Sequence, residues 1–297
     1  MKNESFYKGV GLTLISATSL SIIGLCAKLG LQDISIQALL FWRFACAFGF
    51  YFLFLLVVGE LEGFLHFGET KIQVLRSVFI LSAQYCFFYY LSKNSLLNAS
   101  ALLNTGPLFV AVIESCILRK KVGISSWIAG IVAFVGALFI LQPDAGIFSY
   151  MSVIGLLSGM LQGASQIVFG QAALGKKLHI GLLHMFALCA LISLIPFLFF
   201  PAQAMEYKTT SGLDFLWILL LGVVSIFNQV SRASAYRYAT PSRVAPFLYF
   251  SVLLAGLWDW FVFGAEPNGF SILGTALVVL GGLLKVFLRN WILGRQK

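Results

Sequence analysis

Residues 98–118 read NASALLNTGPLFVAVIESCIL, an apolar stretch with one acid, Glu114, near its end. A similar pattern returns in the second half of the chain, where Asp259 lies 145 positions after Glu114. An ionisable group inside an apolar helix is costly, so the recurrence of such a group is more informative than shared apolar letters. The two halves of the chain are therefore predicted to be copies of one unit.

Glycines recur at the same interval. Gly274 lies 144 positions after Gly130, and Gly281 lies 145 positions after Gly136. We predict a first five-helix repeat in residues 1–141, a junction loop in residues 142–151 and a second five-helix repeat in residues 152–297, together forming one membrane domain.

The composition indicates an integral membrane protein. The 297 residues are 60% hydrophobic and only 10% charged, with a mean hydropathy of +0.93, which leaves too little polar surface for a soluble globule. A membrane-spanning helix needs about 20 mostly apolar residues. Ten such runs occur, at residues 9–31, 36–58, 74–91, 96–118, 125–141, 152–174, 180–200, 213–236, 242–263 and 269–288. These runs are expected to be helices, because a chain in lipid must satisfy its backbone hydrogen bonds internally.

The basic residues predict the orientation of these helices. With a cytoplasmic N-terminus, 16 of the 20 Lys and Arg residues fall on the inner side, Arg76 and Arg232 among them, and only Lys93 and Lys208 fall outside. The other two, Lys28 and Arg43, lie within helices. The excess of inner positive charge predicts that both termini are cytoplasmic. The net charge of +9 then reflects topology, and we expect no nucleic-acid partner.

A repeat of five helices crosses the membrane an odd number of times, so the second copy must enter from the opposite side. The predicted fold is an all-α integral membrane protein of ten transmembrane helices arranged as two inverted five-helix repeats. Inverted repeats are typical of secondary transporters, which bind substrate near the midplane between the halves.

Several motifs resemble the drug/metabolite transporter superfamily, in particular its EamA-type members. The resemblance covers nearly the whole chain and rests on Phe41-Trp42-Arg43-Phe44, on Ala99-Ser100-Ala101-Leu102-Leu103 with Pro107, on Phe263-Gly264-Ala265-Glu266-Pro267 and on the glycine-rich last helix of each half. Lys120-Lys121 stands where the family usually has an acid, whereas Glu266 keeps the acid in the second copy.

Within the superfamily, the aromatic-rich helices and Pro246-Phe247-Leu248-Tyr249 look most like bacterial S-adenosylmethionine transporters. This resemblance implies a secondary transporter in the bacterial inner membrane that moves S-adenosylmethionine, or another amino-acid-like zwitterion or cation, by alternating access. Export of amino acids or amphiphilic drugs is the alternative within transport.

Polar side chains near the helix centres are the candidates for contact with substrate, because such groups normally face a cavity or another helix. The predicted substrate-binding residues are Arg43, Gln84, Tyr85, Asn104, Gln162, Gln166, Asn228, Gln229 and Tyr249. For any one of them, a hydrogen bond between helices is the competing interpretation. Arg43 has two further alternatives, an ion pair with Asp259 and snorkelling to the surface; Lys28 is expected to snorkel.

Glu114 and Asp259 are predicted to act in proton coupling or in gating. A buried acid with a raised pKa would suit the first role, and a pair that closes one side of the carrier would suit the second. For Glu114, a simple ion pair with the nearby Arg119 or Lys120 is the competing interpretation.

The sequence favours a carrier over an enzyme. No Walker loop, GxSxG or HExxH motif occurs, so neither ATP hydrolysis nor a hydrolase is expected, and no cofactor or metal is predicted. A polytopic membrane enzyme, such as a lipid-modifying transferase, is the alternative from another class, although it would need a cluster of acids that these scattered acids do not supply. The expected partners are a small-molecule substrate and the lipid bilayer, with a homodimer left open.

Overall fold

The computed structural model describes residues 2–64, 70–116, 119, 123–141, 150–172, 178–199, 212–238, 244 and 247–294. Eleven helical segments cover most of them: α1 Lys2–Gly30, α2 Ile36–Val58, α3 Thr70–Leu91, α4 Leu96–Leu103, α5 Gly106–Cys116, α6 Ile124–Leu141, α7 Tyr150–Ala172, α8 Leu178–Phe199, α9 Gly212–Tyr238, α10 Phe250–Phe263 and α11 Gly269–Gly294. No strand occurs among these residues.

The ten predicted runs correspond to these helices, with α4 and α5 together forming the fourth run. Helix α2 has the predicted ends, whereas α3 begins four residues before the predicted Val74. Helix α10 begins at Phe250 and not at residue 242, because a turn at Tyr249 separates it from a short helical piece at Phe247 and Leu248. Residues 142–149 of the predicted junction lie outside the described residues.

Capping residues explain where several helices begin and end. The side chains of Ser35 and Ser95 accept hydrogen bonds from backbone N–H groups in the first turns of α2 and α4, which satisfies donors that have no partner within the helix. Gly59 and Gly264 follow α2 and α10 with φ of 78° and 61°, a left-handed conformation that glycine adopts at little cost. These local signals set the ends of helices whose interiors are almost uniformly apolar.

Helix packing follows a matched pattern. Helix α1 packs on α9 and α3 packs on α7, while α2 packs on α8, α4 on α10, and α6 on α11. When α4 and α5 are counted as one span, the chain has ten spans, and each span of the first half corresponds to the span five places later. Under this correspondence the α1–α9 pair becomes the α7–α3 pair. The other three pairs convert into themselves.

The crossing of α6 and α11 depends on two glycines. A Cβ atom on Gly136 would lie 2.6 Å from the Gly274 carbonyl oxygen, and a Cβ on Gly274 would lie 2.6 Å from the Gly136 carbonyl oxygen. Both distances are shorter than van der Waals contact, so only glycine permits this approach. Small residues at helix crossings are the usual means of close packing in membranes.

The exterior of the bundle is apolar. Five of the described helices are long and apolar enough to cross a membrane: Phe6–Gly30, Ile36–Val58, Lys71–Leu91, Leu178–Phe199 and Leu216–Tyr238. Large apolar side chains point outwards, including Val57, Phe199 and Phe261, which are 86%, 77% and 71% exposed. A surface of this kind suits contact with lipid.

The assignment of Arg76 and Arg232 to the cytoplasmic surface is wrong. Their side chains lie inside the bundle, on α3 and α9, and are only 3% and 7% exposed. The count of basic residues treated charges near the ends of apolar runs as charges in cytoplasmic loops, and both arginines lie near such ends. Without these two the inner count falls from sixteen to fourteen, which still far exceeds the two on the other side, so the predicted orientation stands as a prediction.

Candidate functional site

A narrow polar cavity of about 40 Å³ lies in the middle of the bundle. Seven helices from both halves of the chain border it, namely α1, α2, α3, α4, α7, α8 and α9. Its polar lining consists of Arg43, Arg76, Gln84, Gln162, Ser165, Gln166, Ser225, Asn228, Gln229 and Arg232. A polar cluster at this depth in an apolar bundle is expensive unless its groups are hydrogen-bonded or used.

Arg43 joins three of these helices. Its Nη1 donates a hydrogen bond to Gln84 Oε1 at 2.6 Å, and its Nε donates to Ser225 Oγ at 2.8 Å. The guanidinium also lies over the rings of Phe44 and Phe88, at 5.1 and 5.7 Å from their centroids, a cation–π arrangement. The side chain is 6% exposed, so it does not snorkel.

Gln84 and Asn228 occupy related positions in the two halves. They are separated by 144 residues, the interval of the repeat, and both line the cavity. Asn228 Nδ2 donates to the Ser16 carbonyl oxygen at 2.7 Å, which fixes α9 against α1. Gln84 lies on α3 and Asn228 lies on α9, the third and eighth spans, which correspond to each other in the predicted repeat.

Two breaks in the helices border an adjoining chamber. The fourth span is interrupted by a turn at Asn104 and Thr105, and the ninth by the turn at Tyr249. Asn104 and Tyr249 are 145 residues apart, and both line a chamber of about 20 Å³ that also contacts Gln162, Gln166 and Arg232. Broken helices near the midplane are typical of substrate sites in transporters, because unwound backbone offers polar groups there.

Most of the predicted substrate-binding residues come together. The central cavity holds Arg43, Gln84, Gln162, Gln166, Asn228 and Gln229, and the adjoining chamber adds Asn104 and Tyr249. Tyr85 is the exception: it is not among the described lining residues, and it packs against the apolar core. Tyr85 follows Gln84 directly, and neighbouring residues of a helix face different directions.

Four polar residues of the cavity were not predicted as substrate-binding residues: Arg76, Ser165, Ser225 and Arg232. A signal for Arg232 was available, because it follows Asn228 by four residues and Ser225 by seven, a spacing that places all three on one helix face. Arg76 gave a weaker signal, since it sits near the end of its apolar run. Arg232 Nε donates to Ser16 Oγ at 3.3 Å.

Asp259 is buried and forms an ion pair with the partly buried Lys28 at one end of the bundle. Its Oδ1 accepts a hydrogen bond from Lys28 Nζ at 2.7 Å, and its Oδ2 accepts one from the backbone N–H of Leu97 at 2.6 Å. These contacts join α10 to the end of α1 and the start of α4, whose first turn carries unsatisfied N–H groups and a positive dipole. The alternatives of an Arg43–Asp259 pair and of a snorkelling Lys28 are therefore wrong.

Glu114 lies in α5, but its side chain falls outside the described residues. The predicted role of this acid consequently stays a prediction. Among the described residues, no group of three or more His, Cys, Asp or Glu side chains is placed to hold a metal ion. The chemistry that the cavity offers is that of hydrogen-bond donors, amides and guanidinium groups.

The sequence profile of the EamA-like transporter family matches residues 7–142 and again residues 150–287. The chain belongs to the EamA-like transporter family. This membership confirms the resemblance described above and the ten-helix membrane fold. The protein is a multi-pass membrane protein.

Proteins that resemble this chain differ in the substrates for which they are named. A riboflavin transporter of Vibrio cholerae is 30% identical over 64% of this chain and 61% of its own length, so the match spans less than two thirds of that protein. A pseudopaline exporter of Pseudomonas aeruginosa is 23% identical over 92% and 93% of the two chains. An S-adenosylmethionine uptake transporter of Rickettsia prowazekii is 20% identical over 96% and 94%.

A solved crystal structure has the same fold. It superposes with a TM-score of 0.68, covers 95% of this chain and 98% of that chain, and is 14% identical in sequence. Membership of the EamA-like transporter family makes this chain a transporter of the drug/metabolite superfamily.

Proposed function

We propose that this protein is a secondary carrier that moves a small organic metabolite across the bacterial inner membrane by alternating access. One observation carries the proposal: a buried polar cavity, lined from both halves of the chain, lies beside two helix breaks. A cavity of about 40 Å³ holds a few water molecules, so the site must widen to admit a metabolite. Residues Arg43, Gln84, Gln162, Gln166, Asn228 and Gln229 are the proposed binding set, with Asn104 and Tyr249 beside them.

The domain organisation that we propose is one membrane domain made of two inverted repeats, residues 1–141 and 152–297, with a junction between them. Two family matches of similar length support this division. The helix pairs also support it, because each pair corresponds to a pair related by five spans along the chain. The excess of Lys and Arg on one side supports cytoplasmic N- and C-termini.

Asp259 is proposed to act in a gate. With this orientation, the Lys28–Asp259 pair and the bond to Leu97 lie towards the outside, where they hold α1, α4 and α10 together. A gate must close and open, and an ion pair at 2.7 Å can do both if substrate or protons compete for it. Glu114, 145 positions earlier, is the proposed counterpart on the inner side. Proton coupling through either acid is the alternative role.

S-adenosylmethionine and other amino-acid-like zwitterions are the first substrates to test. The carboxylate of such a compound suits the Arg43 guanidinium, and one relative is named for S-adenosylmethionine uptake. Another relative is named an exporter, which keeps export as the second candidate direction.

The test is counterflow in proteoliposomes that contain the purified protein. Vesicles are loaded with an unlabelled candidate, and entry of the labelled compound is followed with and without a proton gradient. Accumulation without a gradient would establish a carrier of that compound. Failure of a broad panel of metabolites with folded protein, or turnover of a lipid substrate by the same preparation, would overturn the proposal in favour of a membrane enzyme.

A further inference from the structure

A second and larger cavity lies at the side of the bundle, between α2, α8 and the start of α3. Its volume is about 340 Å³, and the described residues that line it are different from those of the central cavity. Its walls are mostly apolar side chains of α2 and α8, such as Phe41, Phe48, Ala187, Leu188 and Leu191. We call it the lateral groove. Its size and its apolar walls are typical of ligand sites.

The lateral groove is continuous with the surface that faces lipid. Leu191 lines the groove and is 61% exposed. Ile195 and Leu198 follow it by four and seven residues, which places all three on one face of α8, and they are 56% and 61% exposed. Because the protein is a multi-pass membrane protein, this face contacts the bilayer. Molecules of the bilayer therefore have direct access to the groove.

The two helices that form the walls of the groove are antiparallel. Phe41, near the start of α2, stacks on Phe197, near the end of α8, with ring centroids 4.8 Å apart. Near the end of α2, the Tyr51 hydroxyl lies 3.2 Å from Nδ1 of His179, at the start of α8. The groove thus runs lengthwise between one helix from each half of the chain.

The ends of the groove differ in polarity. Its two polar lining residues, Gln73 and His184, share one end, because a Cβ atom on Gly181 in the preceding turn of α8 would lie 3.3 Å from Gln73 Nε2. The other end, at Phe41 and Leu194, is apolar. The ten residues from His184 to Leu194 span about 15 Å of α8, half of the bilayer's hydrocarbon core of about 30 Å. This length suits one hydrocarbon chain.

Gln73 leaves a polar atom unsatisfied at this end. The side chain is 4% exposed, and its Oε1 accepts no hydrogen bond from the described residues. A buried acceptor without a partner is costly, and such groups in native proteins call for an explanation. A bound molecule that donates a hydrogen bond here would satisfy the Gln73 carbonyl.

Charges of both signs lie on the same side of the bundle as Gln73. Glu60 and Glu62 follow the end of α2, Lys71 lies two residues before Gln73, and all three are exposed. This combination complements a zwitterionic headgroup, whose ammonium would face the acids and whose phosphate would face the lysine. Phosphatidylethanolamine has such a headgroup, and its ammonium carries the N–H donors that the Gln73 carbonyl lacks.

We propose that the lateral groove binds one phospholipid of the surrounding bilayer, with an acyl chain between α2 and α8 and an ethanolamine headgroup hydrogen-bonded to Gln73. The site is separate from the substrate cavity, yet Arg43 follows the groove residue Phe41 by two positions in α2. A bound chain would thus support the contact of the two halves beside the central cavity. We expect the lipid to stabilise the folded protein.

The first experiment measures thermal unfolding of the purified, delipidated full-length protein in detergent. Dioleoyl phosphatidylethanolamine and dioleoyl phosphatidylcholine are added to the micelles in turn, because they share their chains but only the first has N–H donors. Both should stabilise the protein in a saturable way. Phosphatidylethanolamine should reach half-saturation at a mole fraction about three- to tenfold lower, the factor that one ordinary hydrogen bond contributes.

Gln73→Leu removes the amide but keeps much of the side-chain volume. The preference for phosphatidylethanolamine should then fall below about twofold. Without lipid, the variant should be no less stable than the native protein, because Gln73 Oε1 has no hydrogen bond to lose. A purely structural amide would give the opposite result, namely a less stable lipid-free protein with an unchanged lipid preference.

Ala187→Phe fills the groove and should abolish most of the stabilisation by either lipid. Ala276→Phe is the matched control, because Ala276 is exposed on α11, which packs on α6 away from the groove. Where Ala187→Phe does not fold, Ala190→Leu is the smaller change at another lining residue and should still weaken the effect of lipid.

Phosphatidylethanolamine with a photoactivatable group in its chain locates the site. Labelled peptides should come from the walls of the groove in α2 and α8, and the labelling should be lost in Ala187→Phe but not in Ala276→Phe. Equal action of the two lipids on the native protein, or unchanged labelling in Ala187→Phe, would overturn the proposal. A changed oligomeric state in that variant with unchanged labelling would assign the groove to a second copy of the chain. None of these measurements involves transport, so their outcome is independent of the proposed carrier function.

Discussion

Arg43 connects three helices through two hydrogen bonds and two aromatic rings. Its partners Gln84 and Ser225 come from α3 and α9, so the position of this cation depends on both halves of the chain. A buried donor that loses its acceptor costs more than an average hydrogen bond contributes. The neutral residues around Arg43 can therefore be tested through stability, whatever the substrate is.

Ser225→Ala should lower the unfolding free energy by about 1–2 kcal/mol, because Arg43 Nε would lose its acceptor in a buried place. In an Arg43→Gln background the same serine change should cost less than about 0.5 kcal/mol, since the donor is gone. Denaturant unfolding in detergent measures both. Ser231→Ala, in the same helix and buried but away from the cavity lining, is the control. Equal costs in the two backgrounds would contradict the assigned contact.

Lys28 and Asp259 provide a second test at a single contact. Asp259→Asn should destabilise the protein by about 3 kcal/mol, near the lower bound for breaking a buried pair. The lower bound applies because Lys28 is 19% exposed, although Asp259 is only 3% exposed, so water can partly solvate the lysine that is left without its acid. The double variant Lys28→Gln/Asp259→Asn should be less unstable than the sum of the single variants. Additive effects in this double-mutant cycle would show that the two side chains do not interact.

At the scale of helices, two features depend on backbone geometry. The crossing of α6 and α11 needs glycine at positions 136 and 274, where backbones nearly touch. The fourth and ninth spans need breaks at Asn104 and Tyr249, where a continuous helix would bring no irregular backbone to the cavity. Pro107 follows the first break, and its missing N–H suits the start of α5.

Gly136→Val should separate α6 from α11 and reduce the yield of folded protein, because its Cβ would meet the Gly274 carbonyl at 2.6 Å. Gly49→Ala is the matched control: it lies inside α2, and a Cβ atom added there would meet nothing within 4 Å. That change should be neutral or stabilise by up to about 1 kcal/mol through helix propensity. Size-exclusion profiles and thermal unfolding in detergent compare the two. A well-folded Gly136→Val protein would refute the close crossing.

At the scale of the whole molecule, the matched helix pairs suggest how the carrier works. If the halves are inverted copies, the closed contact of α1, α4 and α10 has a counterpart among the corresponding helices of the other half. Alternating access would then exchange which side is closed, as rocking of one unit against the other.

Locking the Lys28 end should stop transport. In a variant without the five native cysteines, Lys28→Cys and Asp259→Cys can be joined by a short reducible cross-linker, since the native side chains meet at 2.7 Å. Counterflow of the best probe should fall to background after cross-linking and recover after reduction. Each single cysteine variant, treated alike, is the control. Unchanged counterflow in the fully cross-linked protein would show that this end does not open.

Much of this architecture could be predicted from the sequence because the signals are local. Hydropathy sets the spans, since lipid admits only long apolar helices, and the serine and glycine caps lie next to the ends that they define. The interval of 144 to 145 residues predicts the repeat, and counting to helix centres found the side-chain amides of the cavity, Gln84, Gln162, Gln166, Asn228 and Gln229. The repeat interval and the count to helix centres both use only the distance between residues along the chain.

Pairing between distant side chains was decided by the tertiary structure alone. Lys28 and Asp259 are 231 residues apart, and nothing local in the sequence indicates that they meet. The burial of Arg76 and Arg232 depends in the same way on which helix faces turn inwards, because a charge near the end of an apolar run can point to water or to the core. Composition along the chain sets depth in the membrane, but rotation about each helix axis follows from packing against neighbours.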